Sequence, residues 1–290
     1  MPTYSLSACL FVYDKENKPT GDLAEAVAQV AAAGFTETEV SAEGDSWPPV
    51  AGGEVAELKS ALERSGLFPH TLHAPLMGIN LASEIEAIRR DGIEQMAAAL
   101  RVQGALGGRS VIVHPTGRPG ADEEDYTWEN IGVATERAHR SVSELVPVAA
   151  AAGVRIALEN LPSTGLLCRP LVSMQELRAF IADFPPEQVG LCLDTGHARI
   201  SGLDPALQAR VAGERLIALH LQDVDGEADC HWVPGDGVID WAAVGQALAD
   251  IGFDGAWTME ALCGKTDMSA AEVAAACTAL QARWTSDGMS

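Results

Sequence analysis

The sequence predicts an α/β fold, a single-domain (β/α)8 TIM barrel spanning 1–290, on three observations. Short apolar runs alternate with helix-patterned segments eight times along the 290 residues, a pitch of about 36 residues per unit that suits parallel strands joined by right-handed helical crossovers. No Ser/Gly linker divides these units, and no Gly-x-Gly-x-x-Gly turn follows an early strand, as an open dinucleotide-binding sheet would need. Finally, the runs tend to end in a carboxylate or an imidazole: Leu72-His73, Val113-His114, Leu158-Glu159, Leu193-Asp194, Leu219-His220 and Met259-Glu260.

Taken in order, the run from Tyr4 to Val12 is rich in aliphatic and aromatic residues and reads as the first strand, with a polar turn from Asp14 to Gly21. Helical spacing covers Asp22 to Ala33 and stops at Gly34; Phe35 to Val40 is the next strand and leads into a Gly/Pro-rich loop at Trp47-Pro48-Pro49. Glu54 to Ser65 is helix, stopped by Gly66, and Phe68 to His73 is strand. Helix Ser83 to Leu106, strand Ser110 to His114 and an acidic loop from Thr116 to Tyr126 follow. Trp128 to Ala152 is helical with an expected irregularity at Pro147, closed by Gly153 ahead of strand Val154 to Glu159. The second half repeats the alternation: helix Ser173 to Asp183, strand Val189 to Asp194, helix Asp204 to Ala212, and strand Leu216 to Leu221. After a long loop come helix Trp241 to Asp250, with Asp240 as its cap, strand Gly255 to Glu260, and helix Ala270 to Ala282.

Composition narrows the function classes. Lys and Arg total 19 against 41 Asp and Glu, a net charge of −22, which disfavours a nonspecific grip on nucleic acid or anionic lipid. The six cysteines lack the short paired spacing of zinc or redox motifs, and the expectation is reduced core thiols in a cytoplasmic protein. There is no basic segment ahead of an apolar stretch, and the longest near-apolar run, Leu145 to Val154, contains a proline and is too short for a bilayer. The expected partner is a small molecule, with no membrane and with room for a homo-oligomer.

A closed parallel barrel brings the C-terminal ends of its strands to one mouth, so residues distant in sequence converge there. The members are Glu39, His73, His114, Glu159, Asp194, His220 and Glu260, with His197 one turn beyond its strand and Asp229 and His231 on the loop after the seventh; these include five of the seven histidines. A mixed carboxylate and imidazole set suits a divalent cation, Mn2+, Zn2+, Co2+ or Mg2+, and Glu159, Asp194, His220 and Glu260, from four successive strands, form the compact first choice of ligands. His73, His114, His197, Asp229 and His231 then hold substrate, support the ligands, or bind further ions. The bland alternatives stand beside these: Asp194 as a helix cap, His73 and His114 bonded to neighbouring carbonyls, Trp232 and Trp47 as ordinary rim aromatics rather than pocket walls. His70 and His139 look unconnected to the mouth, and Cys230 is expected to point away from it.

These residues resemble a known family. Leu158-Glu159-Asn160-Leu161, Cys192-Leu193-Asp194-Thr195-Gly196-His197, His220-Leu221-Gln222-Asp223 and Asp229-x-His231-x-x-Pro234-Gly235-x-Gly237-x-Ile239-Asp240-Trp241 are similar as a set to the xylose isomerase-like TIM barrel superfamily. In its sugar isomerases and epimerases, the resemblance implies one divalent metal on Glu159, Asp194, His220 and Glu260, with Glu159 and Glu260 also moving protons. In its endonuclease IV-type enzymes, the resemblance implies three zinc ions on nine ligands, all present here: His73, His114, Glu159, Asp194, His197, His220, Asp229, His231 and Glu260. The rim offers few cations for a phosphate backbone (Arg118, Arg169, Arg199 and Lys265), so one ion is expected in preference to three and nucleic acid is not the expected substrate.

The function expected from this reading is a divalent-metal-dependent sugar isomerase or epimerase. Its substrate is a ketose or keto-polyol, with a sugar phosphate left open by Arg199 and Lys265, and proton transfer runs through a metal-stabilised enediolate. Glu159 and Glu260 are the catalytic pair; His73, His114, His197, His231 and Trp232 face substrate. The alternatives are an inosose-type keto-polyol dehydratase and an endonuclease IV-like phosphodiesterase acting on abasic DNA.

Overall fold

A computed structural model describes residues 2–12, 22–41, 53–76, 78–117, 123–163, 168–286 and 288. Trp47, Arg118 and the turn from Asp14 to Gly21 lie outside them. Eight strands run parallel: β1 (Thr3–Ser7), β2 (Glu37–Ser41), β3 (Phe68–His73), β4 (Ser110–Val113), β5 (Arg155–Glu159), β6 (Val189–Asp194), β7 (Leu216–His220) and β8 (Ala256–Met259). They form one sheet in the order β7-β6-β5-β4-β3-β2-β1-β8. The ring is completed between β7 and β8 by a Leu221–Met259 bridge, in which Leu221 N–H donates to the Thr258 carbonyl at 2.8 Å and Glu260 N–H to the Leu221 carbonyl at 3.1 Å. This is the expected TIM barrel.

The helices wrap the outside: α1 (Cys9–Val12), α2 (Leu23–Ala32), α3 (Gly53–Ser65), α4 (Glu86–Leu106), α5 (Ile131–Ala152), α6 (Met174–Phe180), α7 (Thr195–Ile200), α8 (Pro205–Ala212), α9 (Trp241–Asp250) and α10 (Ala270–Ser286). Side-chain caps set their starts, since the first N–H groups of a helix lack partners. Asp22 accepts from Ala24 and Glu25, Ser173 and Glu176 make a reciprocal capping box, and Asp240 accepts from the Ala243 N–H as expected. α5 continues through Pro147 and ends at Gly153, whose φ of 71° is the left-handed conformation glycine tolerates best. Among the described residues, no helix is long and apolar enough to cross a membrane.

Two expectations need correction. The apolar run Tyr4 to Val12 is not one strand: β1 ends at Ser7, and Cys9–Val12 is a short helix burying Leu10, Phe11 and Val12. A short apolar run fits a buried strand and a buried helix equally well, so composition alone did not separate them. The cysteines are unbridged, but only Cys192 and Cys277 are buried; Cys9, Cys168, Cys230 and Cys263 are half-buried.

Strand alternation sorts the side chains into two layers. Outward residues such as Tyr4, Leu6, Leu72, Leu158 and Leu219 join the main core under the helices, where Tyr4, Trp257 and Trp284 pack edge-on or tilted at 5.6–6.3 Å. Inward residues fill the barrel. On one side Ile112, Ala157, Cys192 and Ala218 form a separate small apolar cluster. Two residues further along three of those strands come Glu159, Asp194 and His220, and the same step beyond Ile112 reaches His114. The apolar layer is therefore a floor, and the next inward position on each strand is the site.

Candidate metal centre

Four ligand atoms, one each from Glu159, Asp194, His220 and Glu260, lie within 4.8 Å of one another, and all four residues are buried. The His220 ring organises them. Its Nε2 lies 2.9 Å from Glu39 Oε2, which also accepts from the Thr71 hydroxyl at 2.8 Å. A carboxylate accepts only, so Nε2 carries the proton and Nδ1 turns inward, 3.2 Å from both Glu159 Oε1 and Glu260 Oε2. A ring lone pair facing two carboxylate oxygens is repulsive unless a proton or a cation stands between them.

His73, His197 and His231 repeat the arrangement with the nitrogens exchanged. Each places Nδ1 against a backbone carbonyl: Ala74 at 2.8 Å, Asn160 at 2.9 Å and Glu260 at 3.1 Å. That contact fixes the tautomer and leaves Nε2 free to face a carboxylate. His73 Nε2 is 3.7 Å and His114 Nε2 3.1 Å from Glu159 Oε2; His197 and His231 Nε2 are 3.2 and 3.5 Å from Asp229 Oδ2. Ligand atoms of His73, His114 and Glu159 make a second close group and those of His197, Asp229 and His231 a third, with Glu159 shared between the first two. The carbonyl-bonded reading of His73 is thus correct, and the same bond aims its other nitrogen into the mouth.

Local structure explains the placements. Asp194 caps α7, accepting from the His197 N–H at 2.6 Å, so the cap reading of Asp194 holds as well. Thr195–Ile200 is helical, and its first turn carries His197 back over the β6 end. Gly196 is required by close approach: a Cβ there would lie 2.5 Å from Gln222 Cδ. Through that gap the Gln222 carboxamide reaches three partners. Its Nε2 donates to Asp194 Oδ2 at 3.1 Å and Asp229 Oδ1 at 2.8 Å, and its Oε1 accepts from the His231 N–H at 2.9 Å. His231 is held at φ 48°, a conformation uncommon for any residue but glycine. Asp223 ties down the rest of the loop, accepting from the N–H groups of Val224, Gly235 and Ile239 and from the Trp241 indole at 2.8 Å.

Burial opposes charge on every group, and the neighbours decide the net direction. His220 is raised well above its ordinary value because Cys192, Glu260, Glu39 and Glu159 outweigh burial. His73 is pushed up to about 9, Glu159 leading its neighbours against burial, and His231 up to about 10, with Asp229 leading. Burial pushes His114 down to about 4 and Glu260 up to about 7. For Glu159, His220 and His114 overcome burial and hold the carboxyl well below its usual range. The mouth is electrostatically short of positive charge, and its mixed oxygen and nitrogen donors fit a divalent cation.

The other residues singled out in the sequence have these surroundings. Trp232 is half-buried on backbone bridges to Asp223 and Cys263, with Lys265 Nζ 5.6 Å above its ring. The Cys230 thiol donates to the Ala228 carbonyl at 3.2 Å. His70 lies 2.6 Å from Glu37 at the start of β2, and His139 packs on Phe184 outside the barrel. Arg169 donates to the Thr116 carbonyl at 3.3 Å. Sequence reasoning gave no role to Gln222, Asn160 or Asp223 and no specific partner to Glu39. Gln222 and Asp223 stand two and three residues beyond the candidate ligand His220 that ends β7, which is the signal that was available.

The family described as Xylose isomerase-like TIM barrel matches residues 27–282. The chain is 30% identical over 239 residues to a D-psicose 3-epimerase of Enterocloster bolteae, covering 80% of this chain and 74% of that one. It is 28% identical over 208 residues to a probable endonuclease 4 of Thermoplasma acidophilum, covering 67% and 68%. An uncharacterized protein of Methanocaldococcus jannaschii is 28% identical over 193 residues, and the match spans 65% of this chain and 63% of that protein. The crystal structure of a D-tagatose 3-epimerase-like protein superposes with a TM-score of 0.80 at 21% identity over the full length of both chains.

Proposed function

The chain belongs to the xylose isomerase-like TIM barrel family, and on that premise we propose that it is a divalent-metal-dependent isomerase or epimerase of a ketose or keto-polyol. Glu159, Asp194, His220 and Glu260 would hold one ion. The observation that carries this reading is the meeting of those four donors within 4.8 Å, with the His220 lone pair turned into the group by Glu39. Bound there, a divalent ion such as Mn2+, Zn2+, Co2+ or Mg2+ supplies Lewis acidity towards carbonyl and hydroxyl oxygens. Glu159 and Glu260 are the proton-moving pair, reaching the centre from strands three positions apart on the ring. One carboxylate takes the proton from the carbon beside the carbonyl, and the other returns a proton. Return to the opposite face of that carbon gives an epimer, and delivery to the neighbouring carbon gives an isomer. Expulsion of a β-hydroxyl instead makes the chain a dehydratase. His73, His114, His197 and His231 surround the pair with ring N–H groups and lone pairs suited to substrate hydroxyls.

The test is hydrogen exchange. The Mn2+-loaded protein is incubated in deuterated water with a panel of ketopentoses and ketohexoses and followed by NMR. The reading expects deuterium at the carbon next to the carbonyl in at least one sugar, abolished by Glu159→Gln; no incorporation in any sugar contradicts it. The product formed separates epimerase, isomerase and dehydratase.

A second reading has its own support. Two of the additional donor groups, around Glu159 Oε2 and around Asp229, suit a three-ion phosphodiesterase acting on abasic DNA. The net charge of −22 weighs against it, because releasing counterions from a phosphate backbone needs Lys and Arg at the mouth. Nicking of an abasic duplex would establish it.

A further inference from the structure

The barrel is unevenly filled. Opposite the apolar cluster of β4 to β7, strands β8, β1 and β2 turn Thr258, Ser5, Ser7, Glu39 and Ser41 into buried positions. At the upper end of this polar strip Glu39 Oε1 has no hydrogen-bond partner, and Ser7 Oγ and Ser41 Oγ meet no partner but the Cys9 thiol. Their residues are 1%, 4% and 0% exposed. The half-buried Cys9 thiol lies against both hydroxyls. Register fixes where this corner is. Ser7 is paired with Glu39 and is one residue past the Leu6–Met259 pair, which puts Glu260 on its other side; Ser41 is paired with His73. The corner is therefore one strand spacing from Glu260, one member of the proton-moving pair.

Resting on the function proposed above, we propose that Ser7 and Ser41 form a subsite for a hydroxyl group on the part of the substrate remote from its carbonyl. A thiol is a weak donor and a weak acceptor, so two buried hydroxyls that meet only a thiol keep both donor and acceptor capacity to offer. Glu39 Oε1 beside them adds an acceptor for the O–H of the same ligand group. A neutral polyol hydroxyl meets all three. A phosphate does not, since the Glu39 and Glu260 carboxylates flank the corner. The subsite therefore assigns the β1–β2 side of the mouth to the uncharged polyol tail.

The experiment compares a turned-over ketohexose with its 4-, 5- and 6-deoxy analogues on Mn2+-loaded wild type, Ser7→Ala and Ser41→Ala. Wild type is expected to reject one deoxy analogue by about tenfold or more in kcat/KM, because that analogue leaves the site's polar groups unpaired. Each variant raises KM for the parent sugar by about tenfold, with the loss falling on KM more than on kcat, and accepts parent and that analogue nearly equally. Melting temperatures check that the fold is kept. Unchanged discrimination in both variants overturns the subsite, as does an equal loss for parent and every analogue. If wild type binds and exchanges no ketose at all, the functional reading fails first and the subsite falls with it.

Discussion

Replacing Gln222 by Leu tests how the mouth is held together. Its carboxamide bridges Asp194, Asp229 and the His231 N–H at 3.1, 2.8 and 2.9 Å, and Leu keeps the bulk while removing all three bonds. Hydrogen bonds to charged groups contribute about 1.5–3 kcal/mol each and a neutral one about 0.5–1.5, so a loss of about 3–5 kcal/mol is expected in chelator-treated protein, allowing for incomplete additivity. Urea denaturation reads it directly. Added Mn2+ should recover part of the loss, because Asp194 regains a partner. Gly196→Ala provides the complementary perturbation. Alanine is the better helix former by about 0.8–1 kcal/mol, so on local grounds this substitution in α7 should stabilise. A Cβ 2.5 Å from Gln222 Cδ would instead push the carboxamide out of the gap, and a net destabilisation is expected. A neutral or stabilised Gly196→Ala protein, or a Gln222→Leu protein within about 1 kcal/mol of wild type, would refute the bridging role.

Two further outcomes follow from the buried charges. Glu39→Gln leaves the volume at His220 unchanged but removes the charge that fixes its ring, and Mn2+ affinity by calorimetric titration should fall about tenfold or more; a change below about twofold would deny Glu39 that function. In chelator-treated protein His73 and His231 are raised to about 9 and about 10. Groups raised on folding contribute stability fully below their unfolded value of about 6.5 and lose it as pH climbs through the folded values. The chelated chain should therefore melt progressively lower between pH 7 and 10, while a bound divalent ion, taking the place of those protons, flattens the profile in scanning calorimetry. Parallel profiles with and without the ion would contradict this.

How much of this was legible in the sequence depended on chain periodicity. Strand ends were readable because a short apolar run closes on a carboxylate or an imidazole, as in Leu158-Glu159 or Leu219-His220. That rhythm placed the ring of carboxylates and imidazoles without any knowledge of contacts. It did not mark the end of β1, because Cys9–Val12 is apolar in a helix as it would be in a strand. Nor did it show α7, since Asp-Thr-Gly-His reads equally as a turn; the available sign was Asp194 acting as a cap. Ring orientation was out of reach for a different reason. The partners that set it, the carbonyls of Ala74, Asn160 and Glu260 and the Glu39 carboxylate, are matters of backbone path and of strands meeting across the barrel.

The most direct measurement is a divalent titration of chelator-treated protein, with bound metal counted per chain in wild type and in His220→Ala and Glu260→Ala, folding being verified by circular dichroism. One tight equivalent in wild type, lost in both variants, is the predicted result. A wild-type chain that takes up no ion at micromolar concentration, or variants that bind as wild type does, would contradict it.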